Sequence, residues 1–173
     1  MDISRIKNKI RNIPDFPKTG IQFKDITTLL QDSDAFKDTI DVFSNRFKDK
    51  QIDVVVGIES RGFIFAAPLA LELGASFVLA RKPGKLPSEV LTQEYQLEYG
   101  SDAIEIHKDA INNGDKVLIV DDLLATGGTA RATSSIVKKL GGEIISHAFL
   151  ISLIFLDGYE ILTPDPVFSI IEY

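Results

Sequence analysis

The 173-residue chain contains no cysteine and no tryptophan, and only two histidines, His107 and His147. Without cysteine there is no disulfide, no catalytic thiol and no thiolate metal site. Two isolated histidines do not make a multi-histidine metal centre, and both read as structural or surface residues. Basic residues are in deficit, with 19 Lys and Arg against 25 Asp and Glu for a net charge of −6. Salt-driven binding of nucleic acid needs the opposite sign, so no nucleic-acid partner is expected. A small anionic ligand stays open, because a few local cations build an anion site on an acidic protein. Long apolar runs are missing too. The longest, AFLISLIFL at 148–156, is interrupted by Ser152, whereas a membrane span takes about 20 residues. The opening MDISRIKNKI has no apolar run behind its charges. The expectation is a cytoplasmic protein with no membrane partner.

What is present fits a compact fold. The chain is 45% hydrophobic, enough to offset ordering entropy, and its length suits one domain over residues 1–173. Ile3, Ile6, Ile10 and Ile13 recur at helical spacing and predict a first helix ending before Pro14. Residues 14–21 read as an ordered loop. Phe36, Ile40, Phe43 and Phe47 predict a second helix, capped by Asp32 or Ser33. Apolar runs at 52–57, 75–80, 116–120, 143–155 and 167–171 read as strands. Helical patterns fill 61–73 and 128–140, the latter closed by Gly141-Gly142. Residues 81–105 form a long excursion with weak β alternation. Near-continuous apolar strands followed by helices predict an α/β fold in three layers, with a central, mainly parallel sheet covered on both faces. Ligands of such sheets bind at the carboxyl ends of the strands.

Three loops leave those ends. In VLIVDDLLATGGTA, 117–130, Asp121 and Asp122 follow the strand directly. Adjacent carboxylates repel, so the pair is costly unless hydroxyls, a metal or a cation use it. Ala125, Thr126, Gly127, Gly128 and Thr129 then open a helix. Glycines present successive N–H groups, the helix start adds its positive end, and the two threonines add hydroxyl donors. Carboxylates beside a phosphate cradle describe a site for a phosphorylated polyol such as ribose 5-phosphate. Neither the Walker A pattern nor GxGxxG is present. The paired acids are adjacent rather than DxD, which argues against an aspartyl phosphatase.

GIESRG, 57–62, would expose backbone N–H groups and the Arg61 guanidinium to an anion. Ser60 does not sit in GxSxG, and no histidine is placed near it, so a hydrolase nucleophile is not indicated. RKPGKLP, 81–87, puts Arg81, Lys82 and Lys85 just past another strand. Three cations there suit a polyanion.

VLIVDDLLATGGT resembles the phosphoribosyl pyrophosphate (PRPP) motif of type I phosphoribosyltransferases. Over nearly its whole length the chain resembles the adenine phosphoribosyltransferases among them. Supporting segments are FPKTGIQFKDIT (16–27), GIESRGFIFAAPLA (57–70), RKPGKLP (81–87) and LEYGSDAIEIHKDAI (97–111). The resemblance implies transfer of the 5-phosphoribosyl group from PRPP to adenine, giving AMP and pyrophosphate. It implies Mg²⁺ held mainly by PRPP and water near Asp121 and Asp122, and a two-fold dimer with basic residues reaching across the interface. Asp121, Asp122, Arg61 and Glu94 become candidate catalytic residues, with no single general base assigned. Residues 125–129 would hold the 5′-phosphate. Glu59, Ser60, Arg61, Arg81, Lys82 and Lys85 would face pyrophosphate, with a cis peptide at Glu59–Ser60. A flap would span about 84–100 within a flexible region 81–105, and it carries Glu94 and Tyr95. Gln22, Phe23 and Lys24, on a hood formed by residues 1–30, would bind the base, with Phe155 or Leu156 on its other face. Lys24 stands where the family has Arg. A planar donor fork is lost there, although a backbone contact survives. Another purine as acceptor, or a non-catalytic PRPP sensor, remain the alternatives.

Overall fold

In the computed structural model, which describes residues 3–96 and 100–173, five parallel strands form the central sheet. They are β3 (Val54–Ile58), β4 (Ser76–Ala80), β7 (Lys116–Leu124), β8 (Glu143–Ser152) and β9 (Val167–Glu172), in the order β4-β3-β7-β8-β9. Successive side chains on a strand point to opposite faces, and two cores result. Val55, Leu118, Val120, Ala148 and Leu150 bury one face with Phe43, Phe47, Phe65 and Leu69. These come from α3 (Ser33–Phe47) and α4 (Gly62–Leu73). Val54, Val56, Ile119 and Phe149 bury the other face with Ile136 and Val137 of α5 (Gly128–Lys139) and with Ile104 and Ile106. The second face is thus covered by α5 and by an antiparallel ladder of β5 (Val90–Gln96) with β6 (Ser101–His107), with Leu162 at its edge. The expected irregular excursion is largely this ladder. Leu97, Glu98 and Tyr99 of the expected flap lie outside the described residues.

The first predicted helix is shorter than its isoleucine spacing suggested. Helix α1 ends at Asn8, and Arg11–Pro14 is a strand, β1, paired antiparallel with β2 (Gln22–Asp25). The competing interaction is long-range. Arg11 faces Asp25 in the register, and its guanidinium donates to the Asp25 carboxylate at 2.5 and 3.0 Å. Asp25 also accepts from the Thr27 N–H at 2.9 Å and the Thr27 hydroxyl at 2.7 Å. Those Thr27 bonds first, then Arg11, hold its pKa down at about 2. Asp25 of FKDIT is therefore a structural acid that joins β1, β2 and the short α2 (Thr27–Leu30). Asp32 caps α3 as expected, accepting from the Ala35 N–H at 3.0 Å. The fourth strand stops at Ser152, and a 3₁₀ turn (Ile154–Leu156) and α6 (Gly158–Leu162) follow it. No helix among the described residues is long and apolar enough to cross a membrane.

His147 lies buried in β8, stacked on Phe149 with centroids 6.3 Å apart. Its Nε2 is 3.0 Å from the Ser134 hydroxyl of α5, and its Nδ1 has no partner among the described residues. Burial lowers its pKa to about 4, against the pull of Asp165, whose carboxylate is 3.9 Å away and paired with Lys138. Between an unfolded value near 6.5 and that folded value the unfolded chain binds the extra proton, so this group's contribution weakens as pH falls. Urea unfolding should show the wild type losing roughly 2 kcal/mol more than His147→Gln between pH 7 and pH 5. Equal losses in the two proteins would exclude a buried neutral imidazole.

Candidate active site

The chain passes from β3 outward to β4 and returns to β7 on the other side of β3. The sheet order therefore reverses between β3 and β7, and the crevice outside their carboxyl ends is the switch point where open α/β sheets bind ligands. Residues 59–61, 81–85 and 125–129 all leave the sheet at this edge.

Asp121 and Asp122 do not follow the strand, as the apolar run 116–120 implied, but lie inside it. Pairing with β3 ends at Gly57–Val120, whereas the longer β8 continues the ladder from Asp121–Phe149 to Leu124–Ser152. Strand geometry therefore holds both acids rigidly. Asp122 is 4% exposed and Asp121 half-buried, and the Asp122 N–H donates to Asp121 Oδ1 at 2.8 Å. Burial raises both carboxyl pKa values. At Asp121 the neighbouring Asp122 charge adds to the rise, whereas at Asp122 the Arg61 guanidinium opposes it. Arg61 Nε lies 3.0 Å from Asp122 Oδ2, so the loop after β3 and the strand β7, far apart in sequence, meet as one ion pair. The same guanidinium carbon is 5.6 Å from the centroid of Phe23 on β2.

The Glu59–Ser60 peptide bond is cis. Ser60 is exposed, and its carbonyl accepts the Phe63 N–H at 3.3 Å as α4 begins. Glu59 turns toward the basic segment and accepts the Lys82 N–H at 2.8 Å and the Arg81 guanidinium at 3.1 Å. Burial alone would raise the Glu59 carboxyl, but those donors outweigh it and hold it below the usual range. Arg81 also donates to the carbonyl of the exposed Lys85 at 3.2 Å. The Lys82 ammonium instead reaches the β5–β6 ladder, donating to the Tyr95 hydroxyl at 2.7 Å and to the Asp102 carboxylate.

The glycine loop is locked from outside. Gly127 has φ +82°, a backbone that L side chains rarely adopt, and a Cβ there would stand 2.9 Å from the Gly158 carbonyl oxygen. A Cβ on Gly158 would in turn meet the Ala125 carbonyl oxygen at 2.2 Å. Residues 125–129 with Asp121 and Phe149 line a cavity of about 100 Å³ at the start of α5, which suits a small anion. A second, largely apolar cavity of about 550 Å³ lies between β2 and the end of β8. Gln22, Lys24, Leu153, Phe155, Leu156 and Tyr173 line it, with Thr126 shared between the two cavities. Phe155 is 69% exposed.

The structure thus joins Asp121, Asp122 and Arg61 directly, with Glu59 and Arg81 at the next strand end. Alternation on β2 puts Gln22 and Lys24 on the cavity side, while Phe23 turns to Phe16, at 5.1 Å, and to Arg61. Glu94 is exposed on β5 and lines a neighbouring cavity with Gln93, Thr126 and Arg131, apart from Asp121 and Asp122. Tyr173 is a lining residue that sequence reading missed. Its ring centroid is 3.9 Å from Lys24 Nζ. Extending the alternation of the last strand beyond Ile171 was the available signal.

Gly158→Ala has no room for its methyl and should push residues 125–127 outward. A stability loss of about 1–3 kcal/mol is expected, together with weakened binding of ribose 5-phosphate in calorimetry. Unchanged stability and binding would show that α6 does not brace the loop.

Comparisons with known proteins agree with this arrangement. Residues 25–154 match the phosphoribosyl transferase domain family. Adenine phosphoribosyltransferase 4 of Arabidopsis thaliana is 54% identical over 99% of this chain and 94% of its own length. Adenine phosphoribosyltransferase of Geobacter metallireducens is 55% identical over 99% and 100%. Among solved structures, the adenine phosphoribosyltransferase of Thermoanaerobacter pseudethanolicus superposes with a TM-score of 0.96 at 50% identity, covering 99% of this chain and 100% of that one. The Saccharomyces cerevisiae enzyme, complexed with an imino-altritol bisphosphate and adenine, gives 0.93 at 41% identity, covering 97% of each. With the acidic strand, the glycine loop and the two cationic loops at one sheet edge, the chain belongs to the adenine phosphoribosyltransferase family.

Proposed function

We propose that this site performs its family's reaction as follows. The enzyme transfers the 5-phosphoribosyl group from PRPP to adenine, giving AMP and pyrophosphate. The bond from the anomeric carbon to pyrophosphate breaks, a bond to purine N9 forms, and the N9 proton leaves. The observation that carries the assignment of residues is the Arg61–Asp122 pair at 3.0 Å, which puts a cation and two rigid acids beside a phosphate-sized cavity.

In this reading the loop 125–129 binds the 5′-phosphate through N–H groups and the start of α5. Asp121 and Asp122 accept the ribose hydroxyls and favour positive charge developing at the anomeric carbon. Arg61, Arg81 and Lys82 receive the departing pyrophosphate, with Lys85 at the rim and Glu59 holding Arg81 in place. Ser60 contributes backbone to the same loop. The base lies where β2 meets the end of β8. The backbone at Gln22 and Lys24 reads its edge, Phe155 covers a face, and Phe23 offers its ring on the Arg61 side. Glu94 is assigned a supporting role from β5.

The hard oxygen donors Asp121 and Asp122 fit Mg²⁺. Among the described residues no cluster of three or more His, Cys, Asp or Glu forms a metal cage, and the ion would be held mainly by PRPP oxygens and water beside the two acids. When bound, it would offset charge on the pyrophosphate. The working unit we propose is a homodimer, supported by Phe77 on the edge strand β4 and Leu71 on α4, 37% and 84% exposed. The setting proposed is the cytoplasm.

Incubation with Mg²⁺ and PRPP should yield nucleotide and pyrophosphate with adenine in preference to guanine, hypoxanthine or xanthine. Nucleotide from none of the four would overturn the reading. Asp121→Asn and Asp122→Asn should each lower kcat/KM by about 10²-fold with the circular dichroism of the fold kept. Wild-type kinetics in both would remove the acids from the mechanism. Phe155→Ala should raise KM for adenine about ten-fold and leave KM for PRPP unchanged. A shift confined to PRPP would move the base elsewhere.

A further inference from the structure

Each of three cations at this edge faces a carboxylate: Arg61 faces Asp122, Arg81 faces Glu59 and Lys82 faces Asp102. The first two partners belong to the strand ends of the site itself. Asp102 does not. It lies on β6, outside the central sheet, in cross-strand register with Tyr95 of β5. The Tyr95 hydroxyl donates to Asp102 Oδ2 at 3.1 Å while accepting from Lys82 Nζ at 2.7 Å. The three side chains therefore close a ring of hydrogen bonds. The Tyr95 ring also reaches the phosphate loop, since a Cβ on Gly128 would meet it at 3.3 Å. The pair is ionised at neutral pH: the Lys82 bond first of all lowers the Asp102 carboxyl. Both side chains keep about a third of their surface in solvent, so the bond is open to exchange rather than sealed in the core.

We propose that Asp102 is a positioning residue that competes with pyrophosphate for the Lys82 ammonium and so limits how tightly pyrophosphate is held. The proposal rests on the assignment of Lys82 to pyrophosphate made above. An ammonium has three donors, and two of them are committed to Tyr95 and Asp102. A pyrophosphate drawing Lys82 away must break a charge-assisted bond and leave the Asp102 carboxylate uncompensated beside a polyanion. Both costs weaken binding of substrate pyrophosphoryl oxygens and of the product. The same carboxylate recaptures the ammonium as pyrophosphate departs. Tyr95 returns Lys82 to one place because its own ring is fixed between β6 and α5.

The test is calorimetric titration of pyrophosphate with Mg²⁺ into wild type, Asp102→Asn, Asp102→Glu, Lys82→Met and the double variant Lys82→Met/Asp102→Asn. Asp102→Asn should tighten binding about five-fold, the scale of a partly exposed ion pair, and Asp102→Glu should return it toward wild type. In steady state Asp102→Asn should show stronger product inhibition by pyrophosphate with KM for adenine unchanged. A purely structural Asp102 would give the opposite sign, because loosening the β5–β6 ladder weakens binding. Unchanged or weakened affinity in Asp102→Asn, with Lys82→Met weakened, overturns the role of Asp102 and leaves the site assignment standing. Unchanged affinity in Lys82→Met overturns the assignment of Lys82 itself. A five-fold gain that persists in the double variant would show that Asp102 acts without Lys82, and would also overturn the proposal.

Discussion

The ion pair between Arg61 and Asp122 is the contact on which the site depends. Asp122 is buried within a strand, where burial opposes its ionisation, and its charge in turn opposes ionisation of the adjacent Asp121. A guanidinium at 3.0 Å relieves that opposition, and it arrives from the loop after the neighbouring strand. Truncating Arg61 would leave Asp122 buried and uncompensated, so the loop after β3 is held to β7 as well as to any ligand. Arg61 is also the residue against which Phe23 sets its ring. One side chain thereby links the acidic strand to β2.

Three cations of the site, Arg61, Arg81 and Lys82, are held by local carboxylates. Each has a carboxylate partner that fixes its direction, so the chain lowers the ordering cost of long flexible side chains at the moment of binding. That preorganisation has a counter-effect, since a carboxylate that orients a cation also competes for it. Glu59 sits partly buried with a backbone N–H in addition to Arg81 and works mainly as a brace. Asp102, nearer to solvent and on a separate ladder, is placed to exchange.

The two regions proposed to face phosphate groups are built differently. The loop 125–129 depends on backbone shape: Gly127 takes a left-handed conformation, and Gly158 lets α6 close against Ala125. The segment 81–85 depends on side-chain charge, with a strand end on one side and a bridge from Arg81 to Glu105 on the other. A steric change is therefore felt most in the first and a charge change most in the second.

Much of this was legible in the residues. Apolar runs marked all five central strands, the spacing of Phe36, Ile40, Phe43 and Phe47 marked α3, and the resemblance carried by VLIVDDLLATGGT pointed to the reaction. These signals are local, because side-chain period, glycine freedom and carboxylate adjacency act over a few residues. What the tertiary structure decided depends on partners distant in the chain. Strand β7 runs through Asp121 and Asp122 because β8 continues beside it after β3 has ended. Arg11–Pro14 leaves its helical pattern because Asp25 stands opposite Arg11. Lys82 faces Asp102 rather than Glu59 because the β5–β6 ladder folds back over α5. The sequence alone determined which chemistry is available at the sheet edge. Tertiary pairing alone decided which charge faces which, since an ion pair is set by distance in space and not by spacing along the chain.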